Sequence, residues 1–373
     1  MNRTDAATDV LLAALTRPES LVGLAAADWD LLLRQARRTN VHARLAFAAL
    51  DRGLLEQLPQ TVQQHMAAAR AVGADHERTI RWEINRIDRA LTDLDVPVIL
   101  LKGAAYVAAE LPLARGRLVT DVDIMVPKES LFSVEKALRR HGWESMKLDP
   151  YDQRYYRTWM HELPPFMHRE RRTVLDVHHT ILPETSRLKP DPRKLAEAAR
   201  ALERQQFYVL APADMVAHGA AHLFHDGDMA LALRDLVDLH DLIGRFGDER
   251  YFWSQLVLRA HELDLARPLF YALRYASRLL GTPVPEDVTA AAAACAPPMS
   301  VLALMDGLVP RVLLPDHPDR PRRASSAAAL LLYIRSHWLR MPPLLLAKHL
   351  SRKAFMRLKT RPSAATADAH VAQ

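Results

Sequence analysis

Two aspartates lie two positions apart within an apolar run, Asp121 and Asp123 in the segment TDVDIMV at residues 120–126. In a β-strand, successive side chains point to opposite faces, so both carboxylates would share one face with their Cα atoms about 7 Å apart. Carboxylates this close repel each other and destabilise the fold unless a cation lies between them. Mg²⁺ (or Mn²⁺) prefers such oxygen ligands together with substrate phosphates, and paired ions support in-line displacement at phosphorus. The two aspartates therefore predict a divalent-metal site.

A third aspartate, Asp176, interrupts a second apolar run, TVLDVHH at residues 173–179. On a strand it would share its face with His178, whereas His179 would point the other way and pack. If this strand lies beside the first, Asp176 completes a carboxylate triad that ligates metal, or it orients or deprotonates an attacking hydroxyl. The alternative is a core carboxylate held by hydrogen bonds. His178 either supports a metal ligand or is a structural partner of a carboxylate.

A possible phosphate-binding turn lies upstream, where the segment VILLKGAAY at residues 98–106 ends an apolar run with Lys102 and Gly103. The pattern predicts a strand over 98–101 and a helix over 103–110. The N–H groups at a helix start attract anions together with the helix dipole, and glycine lets the backbone approach a phosphate closely. Lys102 would add a positive charge there, or it would pair with the two aspartates.

These segments belong to a region in which strand and helix patterns alternate. The sequence predicts further strands over 121–126, 143–148, 166–168 and 173–180, the last two as a hairpin, and an amphipathic helix over 128–140. Helical periodicity dominates on both sides, with a long helix over about 76–94 and only helices from Pro190 onward. We therefore predict an α+β fold with a small mixed-sheet core at 95–185, an N-terminal helical region at 1–94, a C-terminal helical domain at 186–360 and a disordered tail at 361–373.

The composition indicates which ligands and which cellular compartment to expect. The 373-residue chain has a net charge of +6, which suits an anionic ligand such as a nucleotide but is spread too thinly to indicate nucleic-acid binding. Cys295 is the single cysteine, so no internal disulfide can form, and we expect a reducing, cytoplasmic location. The N-terminal residues lack a signal-peptide pattern, and charges and prolines interrupt the apolar stretch at 327–347, so no membrane span is expected.

Taken together, three motifs resemble the polymerase-beta-like nucleotidyltransferase superfamily: the apolar strand with Lys–Gly, the R-x-x-x-D-x-D pattern from Arg117 to Asp123, and the later D-x-H. Within it, the chain is similar to a bacterial branch of uncharacterised nucleotidyltransferases. The motifs agree well over residues 97–182 and more weakly over 27–50 and 212–245. The resemblance implies Mg²⁺-dependent transfer of a nucleoside monophosphate from an NTP, such as ATP, to a hydroxyl-type acceptor with release of pyrophosphate.

The resemblance also implies roles for individual residues. The metal would be ligated by Asp121, Asp123 and Asp176, and the nucleotide would be bound by Lys102, Gly103, Ala104, Arg117 and Thr120. Two features depart from the superfamily pattern: Ala104 stands where serine or glycine is usual, and the gap between Gly103 and Asp121 is longer. Arg117, in the longer loop, could replace the lost phosphate contact. The acceptor stays open between a small molecule, a peptide and a protein, and a nucleic acid has no specific support.

Two other functions stay open. The core could be a non-catalytic module that binds a nucleotide or a protein, since Ala104 departs from the usual residue. A His/Asp metallohydrolase is the third alternative, because His218 and His222 lie four residues apart in the helical region and Arg234 and Asp238 follow. The same residues could form a polar interface between helices, or His222, Arg234 and Asp238 could border the cleft. A basic helix predicted over about 343–358 would face solvent or an anionic partner.

Overall fold

The computed structural model of the chain describes residues 3–146, 150–203, 206–226, 229, 231–319 and 323–342. The basic helix predicted over about 343–358 and the tail at 361–373 lie outside the described residues, as do the last two positions of the strand predicted over 143–148. The described chain contains one mixed sheet with helices before, between and after its strands. This arrangement confirms the predicted α+β fold class.

Four helices precede the sheet: α1 (Arg3–Thr16), α2 (Ala26–Arg38), α3 (His42–Asp51) and α4 (Gln60–Leu91). In α2, the buried residues Trp29, Leu32 and Ala36 recur at helical spacing, as expected for a helix with one apolar face. α4 is a single helix of 32 residues that begins after Pro59, so the prediction of a helix from about residue 76 was wrong in its start. Small and polar residues fill its first half, which weakens the apolar periodicity there.

The sheet has seven strands: β1 (Val98–Leu101), β2 (Val122–Met125), β3 (Trp143–Ser145), β4 (Phe166–His168), β5 (Val174–His178), β6 (Arg200–Ala201) and β7 (Phe207–Val209). Their order is β3-β4-β5-β2-β1-β7-β6. The β2–β5 and β1–β7 pairs are parallel, and the other neighbours are antiparallel. Every residue of β1 and β2 is buried, as expected for central strands that are covered on both faces.

Two of these strands correct a prediction. The sequence predicts only helices from Pro190 onward, but β6 and β7 form a hairpin and β7 pairs with β1. The two strands have only two and three residues, too few to show an alternating pattern, and β7 owes its burial to the pairing with β1. The sheet therefore extends past residue 185, the predicted end of the core. The domain boundaries themselves stay predictions.

Four helices connect the strands: α5 (Lys102–Ala108), α6 (Leu131–Arg140), α7 (Pro150–Trp159) and α8 (Pro192–Ala198). The predicted helix over 128–140 begins as a short 3-10 turn, Lys128–Ser130, before α6. Gly142 follows α6 with a φ of +91°, a conformation that glycine adopts without strain and that turns the chain into β3. Three further 3-10 turns cover Pro18–Leu21, Leu55–Gln57 and Pro112–Ala114.

In the part of the chain that the structure describes, seven helices follow the sheet: α9 (Pro212–Ala221), α10 (Ala232–Phe246), α11 (Phe252–Glu262), α12 (Ala266–Leu280), α13 (Glu286–Ala293), α14 (Met299–Leu313) and α15 (Arg323–Arg340). α9 is buried along nearly its whole length and packs against α10, α11 and α12. After α9 the chain continues as a π-helical turn, His222–Asp226, an irregularity that is frequent at functional sites. No helix within the described ranges is long and apolar enough to cross a membrane.

Candidate functional site

Three carboxylates meet where β2 and β5 run side by side. The strands are parallel and their register places Asp123 directly opposite Asp176, while Asp121 immediately precedes β2. Neighbouring strands lie about 4.8 Å apart, so aligned side chains on one face converge. One carboxylate oxygen from each of the three aspartates lies within 4.8 Å of the others. The structure thus brings together the three acids on which the metal prediction depends.

The surroundings of Asp176 disfavour the ionised form of its carboxyl group. Burial, together with the charges of Asp123 and Asp121, raises the pKa of Asp176 to about 8. Among the described residues, its Oδ1 atom is buried and has no hydrogen-bond partner. A buried carboxylate oxygen without a partner destabilises the fold. A divalent cation would compensate both the charge and the missing contact, and an all-carboxylate set is the chemistry that Mg²⁺ or Mn²⁺ prefers, so the residues fit such an ion.

Asp123 is held ionised by its neighbours. Nζ of Lys102 lies 3.4 Å from its Oδ1 atom, and Nε2 of His178 lies 2.9 Å from the same oxygen. Burial opposes ionisation, but the Lys102 ammonium and the His178 hydrogen bond hold the pKa of Asp123 well below its usual range. His178 is therefore a direct partner of a predicted metal ligand.

The turn between β1 and α5 has a tighter geometry than the sequence predicts. The predicted helix over 103–110 is observed as α5, which begins at Lys102 and has seven residues. Lys102 has a φ of +44°, an uncommon conformation for a residue with a side chain. A helix of seven residues sums few peptide dipoles, so its dipole contributes little to anion binding. The positive charge at this turn comes mainly from the Lys102 side chain.

Arg117 packs directly on Gly103 and forms a buried ion pair with Asp238. A Cβ atom on Gly103 would collide with Nη1 of Arg117 and would lie 2.8 Å from Cγ2 of Val119. Nε of Arg117 donates to Oδ2 of Asp238 at 2.6 Å, and the Arg117 side chain is 5% exposed. Asp238 also accepts a hydrogen bond from Arg44 at 2.6 Å. The role of Arg117 as a phosphate ligand stays a prediction, because its known contacts are structural.

A cavity of about 140 Å³ opens beside Asp121 and Asp123, whereas the neighbouring Asp176 is not among its described lining residues. It is lined by Lys102, Gly103, Arg117, Val119, Thr120, Asp121, Asp123, His222, Leu231, Arg234 and Asp235. Drug-sized ligands occupy roughly 300–1,000 Å³, so this cavity suits a phosphate group and its metal rather than a whole nucleotide. A larger cavity of about 700 Å³, between α1, α12 and α14, contains none of the three aspartates.

The remaining predicted residues fall into two groups. Thr120, His222 and Arg234 line the cavity, and Oγ1 of Thr120 donates to Oδ1 of Asp121 at 2.9 Å. Ala104 is buried and Asp238 lies behind Arg117, so neither lines the cavity. The missing hydroxyl at Ala104 therefore removes no group from the cavity wall.

Asp235 is a cavity residue that the sequence analysis did not select. It pairs with Arg234 through an Nε–Oδ1 contact of 3.0 Å, and its Oδ2 atom lies 3.6 Å from Nε2 of His222. In the sequence, the neighbouring charged residues Arg234 and Asp235 within a mostly apolar stretch were the pattern that could have indicated a site residue. Within the described chain, the groups of side chains that could share a metal include neither His218 nor His222, which gives the metallohydrolase alternative no geometric support.

A family model described as an uncharacterised nucleotidyltransferase matches residues 25–281. The chain belongs to this nucleotidyltransferase family. The match begins at the residue before α2 and ends at Gly281 directly after α12, so the nucleotidyltransferase region includes the sheet and the helices on both sides of it. Neither the curated proteins nor the solved structures give a match.

Membership in the nucleotidyltransferase family supports a nucleotidyl-transfer function in general terms. The matched region contains all three aspartates and every residue that lines the cavity. The acidic cluster could bind metal, and the nucleotide is the substrate class that the family implies.

Proposed function

We propose that the protein transfers a nucleoside monophosphate from an NTP to a hydroxyl-type acceptor and releases pyrophosphate. The observation that carries this proposal is the convergence of Asp121, Asp123 and Asp176, with a buried oxygen of Asp176 that lacks a hydrogen-bond partner among the described residues. Asp176 occupies a position that destabilises the fold unless a cation is bound. A site that is unfavourable without its ligand is typical of function.

The three aspartates would hold Mg²⁺ or Mn²⁺, which when bound supplies charge neutralisation at the attacking and leaving oxygens. The chain's own groups have separate tasks. Lys102, next to Asp123, adds a positive charge toward the phosphates, and the bare Cα of Gly103 leaves room for the guanidinium of Arg117 at the cavity wall. Arg117 and Arg234 also line the cavity, where their ion pairs with Asp238 and Asp235 hold the two guanidinium groups in place.

Asp176 is also placed to accept a proton. The acceptor hydroxyl oxygen would attack the α-phosphorus, and the bond to the β-phosphate oxygen would break, so that pyrophosphate leaves with the electron pair. The hydroxyl proton would move to the carboxylate of Asp176, which lies with the other two aspartates, through the oxygen that does not hold the metal.

The experiment is a nucleotidyl-transfer assay with each α-labelled NTP, Mg²⁺ or Mn²⁺ and a mixture of candidate acceptors. Pyrophosphate release and mass spectrometry of the acceptors report the reaction. We expect turnover only with a divalent metal, and none with the Asp121→Asn/Asp123→Asn variant. The matched control is Asp95→Asn, because Asp95 is an exposed aspartate outside the site.

The outcomes separate the proposal from its main alternative. Metal-independent turnover, or full activity of the double variant, would contradict the proposed mechanism. NTP binding that needs metal but gives no pyrophosphate with any acceptor would favour the non-catalytic binding module.

A further inference from the structure

A second group of potential metal ligands lies on the far side of His178 from Asp123. The segment before β4 pairs with the end of β5: the His179 N–H donates to the carbonyl of His161 at 2.8 Å, and the Leu163 N–H donates to that of Val177 at 2.9 Å. This pairing places Glu162 opposite His178. One donor atom each from His161, Glu162 and His178 lies within 4.8 Å of the other two.

The two histidines of this group are buried and close together. The side chains of His161 and His178 are 8% and 5% exposed, and their ring centroids are 5.2 Å apart. Glu162 is also largely buried, with a side-chain exposure of 14%. Two imidazoles and a carboxylate at this depth form a donor set that differs from the all-carboxylate triad.

The hydrogen bonds of His178 define which of its nitrogens is available. Nε2 of His178 donates to Oδ1 of Asp123 in a hydrogen bond of 2.9 Å. Nδ1 points to the other side, 3.4 Å from Oε2 of Glu162. Within the described part of the chain, this buried Nδ1 atom makes no hydrogen bond. The Nδ1 atom of His178 therefore adds a buried nitrogen, without a hydrogen bond in the described chain, to a group that already contains a carboxylate oxygen.

The distances between these atoms suit a shared metal ion better than a direct hydrogen bond. A charge-assisted N–H···O hydrogen bond is about 2.7–2.9 Å long, shorter than the Nδ1–Oε2 separation. Ligand atoms about 2.0–2.2 Å from a tetrahedral zinc ion lie roughly 3.3–3.6 Å from one another. The separation of 3.4 Å between His178 and Glu162 agrees with this geometry, and the 3.9 Å between Nε2 of His161 and Oε2 of Glu162 is slightly longer.

We propose that His161, Glu162 and His178 bind a transition-metal ion, Zn²⁺ by the chemistry of the donors, at a site separate from the carboxylate triad. Imidazole nitrogens prefer Zn²⁺ and related ions over Mg²⁺. A metal-bound histidine usually donates its other N–H to a carboxylate, and His178 makes this hydrogen bond to Asp123. The site is not part of the proposed nucleotidyl transfer and does not depend on it.

The test uses the full chain, purified without chelator and then loaded with Co²⁺ in excess Mg²⁺, which occupies oxygen-ligand sites. Zinc content by mass spectrometry and the visible d–d absorption of tetrahedral Co²⁺ are the readouts. We expect about one tightly bound ion per chain in the wild type and at least a tenfold weaker affinity in Glu162→Gln and His161→Gln. The control His168→Gln changes another buried histidine of the sheet that lies outside the group.

The Asp121→Asn/Asp176→Asn variant keeps this site distinct from the proposed function. It should lose metal-dependent NTP binding but keep the Co²⁺ absorption. The proposal is overturned if the folded wild type, checked by circular dichroism, gives no tetrahedral Co²⁺ spectrum, or if Glu162→Gln binds Co²⁺ as tightly as the wild type. Loss of the spectrum in the aspartate variant with retention in Glu162→Gln would assign the ion to the triad and overturn it as well.

Discussion

Gly103→Ala tests whether the cavity wall is packed as tightly as the structure indicates. The new methyl group would lie 2.8 Å from Cγ2 and 3.0 Å from Cγ1 of Val119, and it would collide with Nη1 of Arg117. A flexible arginine tip would normally move away. Here it is held by the 2.6 Å hydrogen bond to Asp238 and lies over the ring of Tyr106, 5.5 Å from its centroid. Overpacking of this kind typically costs about 1–3 kcal/mol.

Two opposing contributions determine the change in the free energy of unfolding of Gly103→Ala. Alanine is favoured over glycine in a helix by about 0.8–1.0 kcal/mol, and Gly103 lies in the first turn of α5, so part of that gain offsets the steric cost. We expect a net loss of about 1–2 kcal/mol in the free energy of unfolding, measured by denaturant titration. NTP affinity should also fall, because Arg117 and the cavity wall must shift.

Gly244→Ala is the matched control for this substitution. Gly244 lies in α10 and is exposed, and a methyl group there would have no atom of the described residues within 4 Å apart from the backbone of its own helix. The same change should therefore stabilise the protein by about 0.5–1 kcal/mol. Opposite signs for the two variants support the packing argument. If Gly103→Ala were as stable as the wild type and bound NTP equally well, the close packing of Arg117 on Gly103 would be refuted.

Three further predictions concern charges. Asp238→Ala removes the acceptor shared by the buried Arg117 and the partly buried Arg44, and it should lower the free energy of unfolding by about 3–5 kcal/mol in denaturant titrations. A hydrogen bond from Arg274 lowers the pKa of Asp306 to about 2. The ionised carboxylate therefore stabilises the folded protein at pH values above the ordinary pKa of aspartate, and this stabilisation is lost as the pH falls toward 2. Asp306→Asn should remove about 1–2 kcal/mol of the acid-dependent change in unfolding free energy between about pH 5 and pH 2. Lys102→Met should reduce NTP affinity by about 1.5–3 kcal/mol in a competition assay, since a charged hydrogen-bond donor next to the phosphates is lost.

The sequence predicts the elements whose signal is local. β1, β2, β5 and the hairpin of β4 with β5 follow from short apolar runs, and the unusual acids within them mark the site residues. The alignment of Asp123 with Asp176 depends on how the parallel strands β2 and β5 pair in the folded protein. The sequence analysis had to assume this alignment, because the register between strands that are far apart in the chain leaves no local sequence pattern.

The features that the sequence analysis missed depend on contacts between distant segments. β7 is buried because it pairs with β1, and the pairing of Glu162 with His178 involves a segment without a strand pattern. Arg117 looks like a free loop charge in the sequence, yet its partner Asp238 lies 121 residues away on α10. Buried ion pairs between such segments cannot be read from periodicity, which reports only the local environment of each element.

Asp176→Asn gives the most direct test of the central claim that the three carboxylates hold the catalytic metal. Asparagine keeps the shape of the side chain and removes the charge that burial and the two neighbouring aspartates disfavour. In chelator, the variant should therefore be at least as stable as the wild type, which separates a loss of metal binding from unfolding.

The measurement is calorimetric titration of Mn²⁺ into the protein in the presence of a non-hydrolysable NTP analogue, with Asp95→Asn as control. We expect the wild type and the control to bind Mn²⁺ alike, and Asp176→Asn to bind it at least about tenfold more weakly. Equal Mn²⁺ affinity in all three proteins would contradict the account, because Asp176 would then not be a ligand and the convergence of the three acids would not be a metal site.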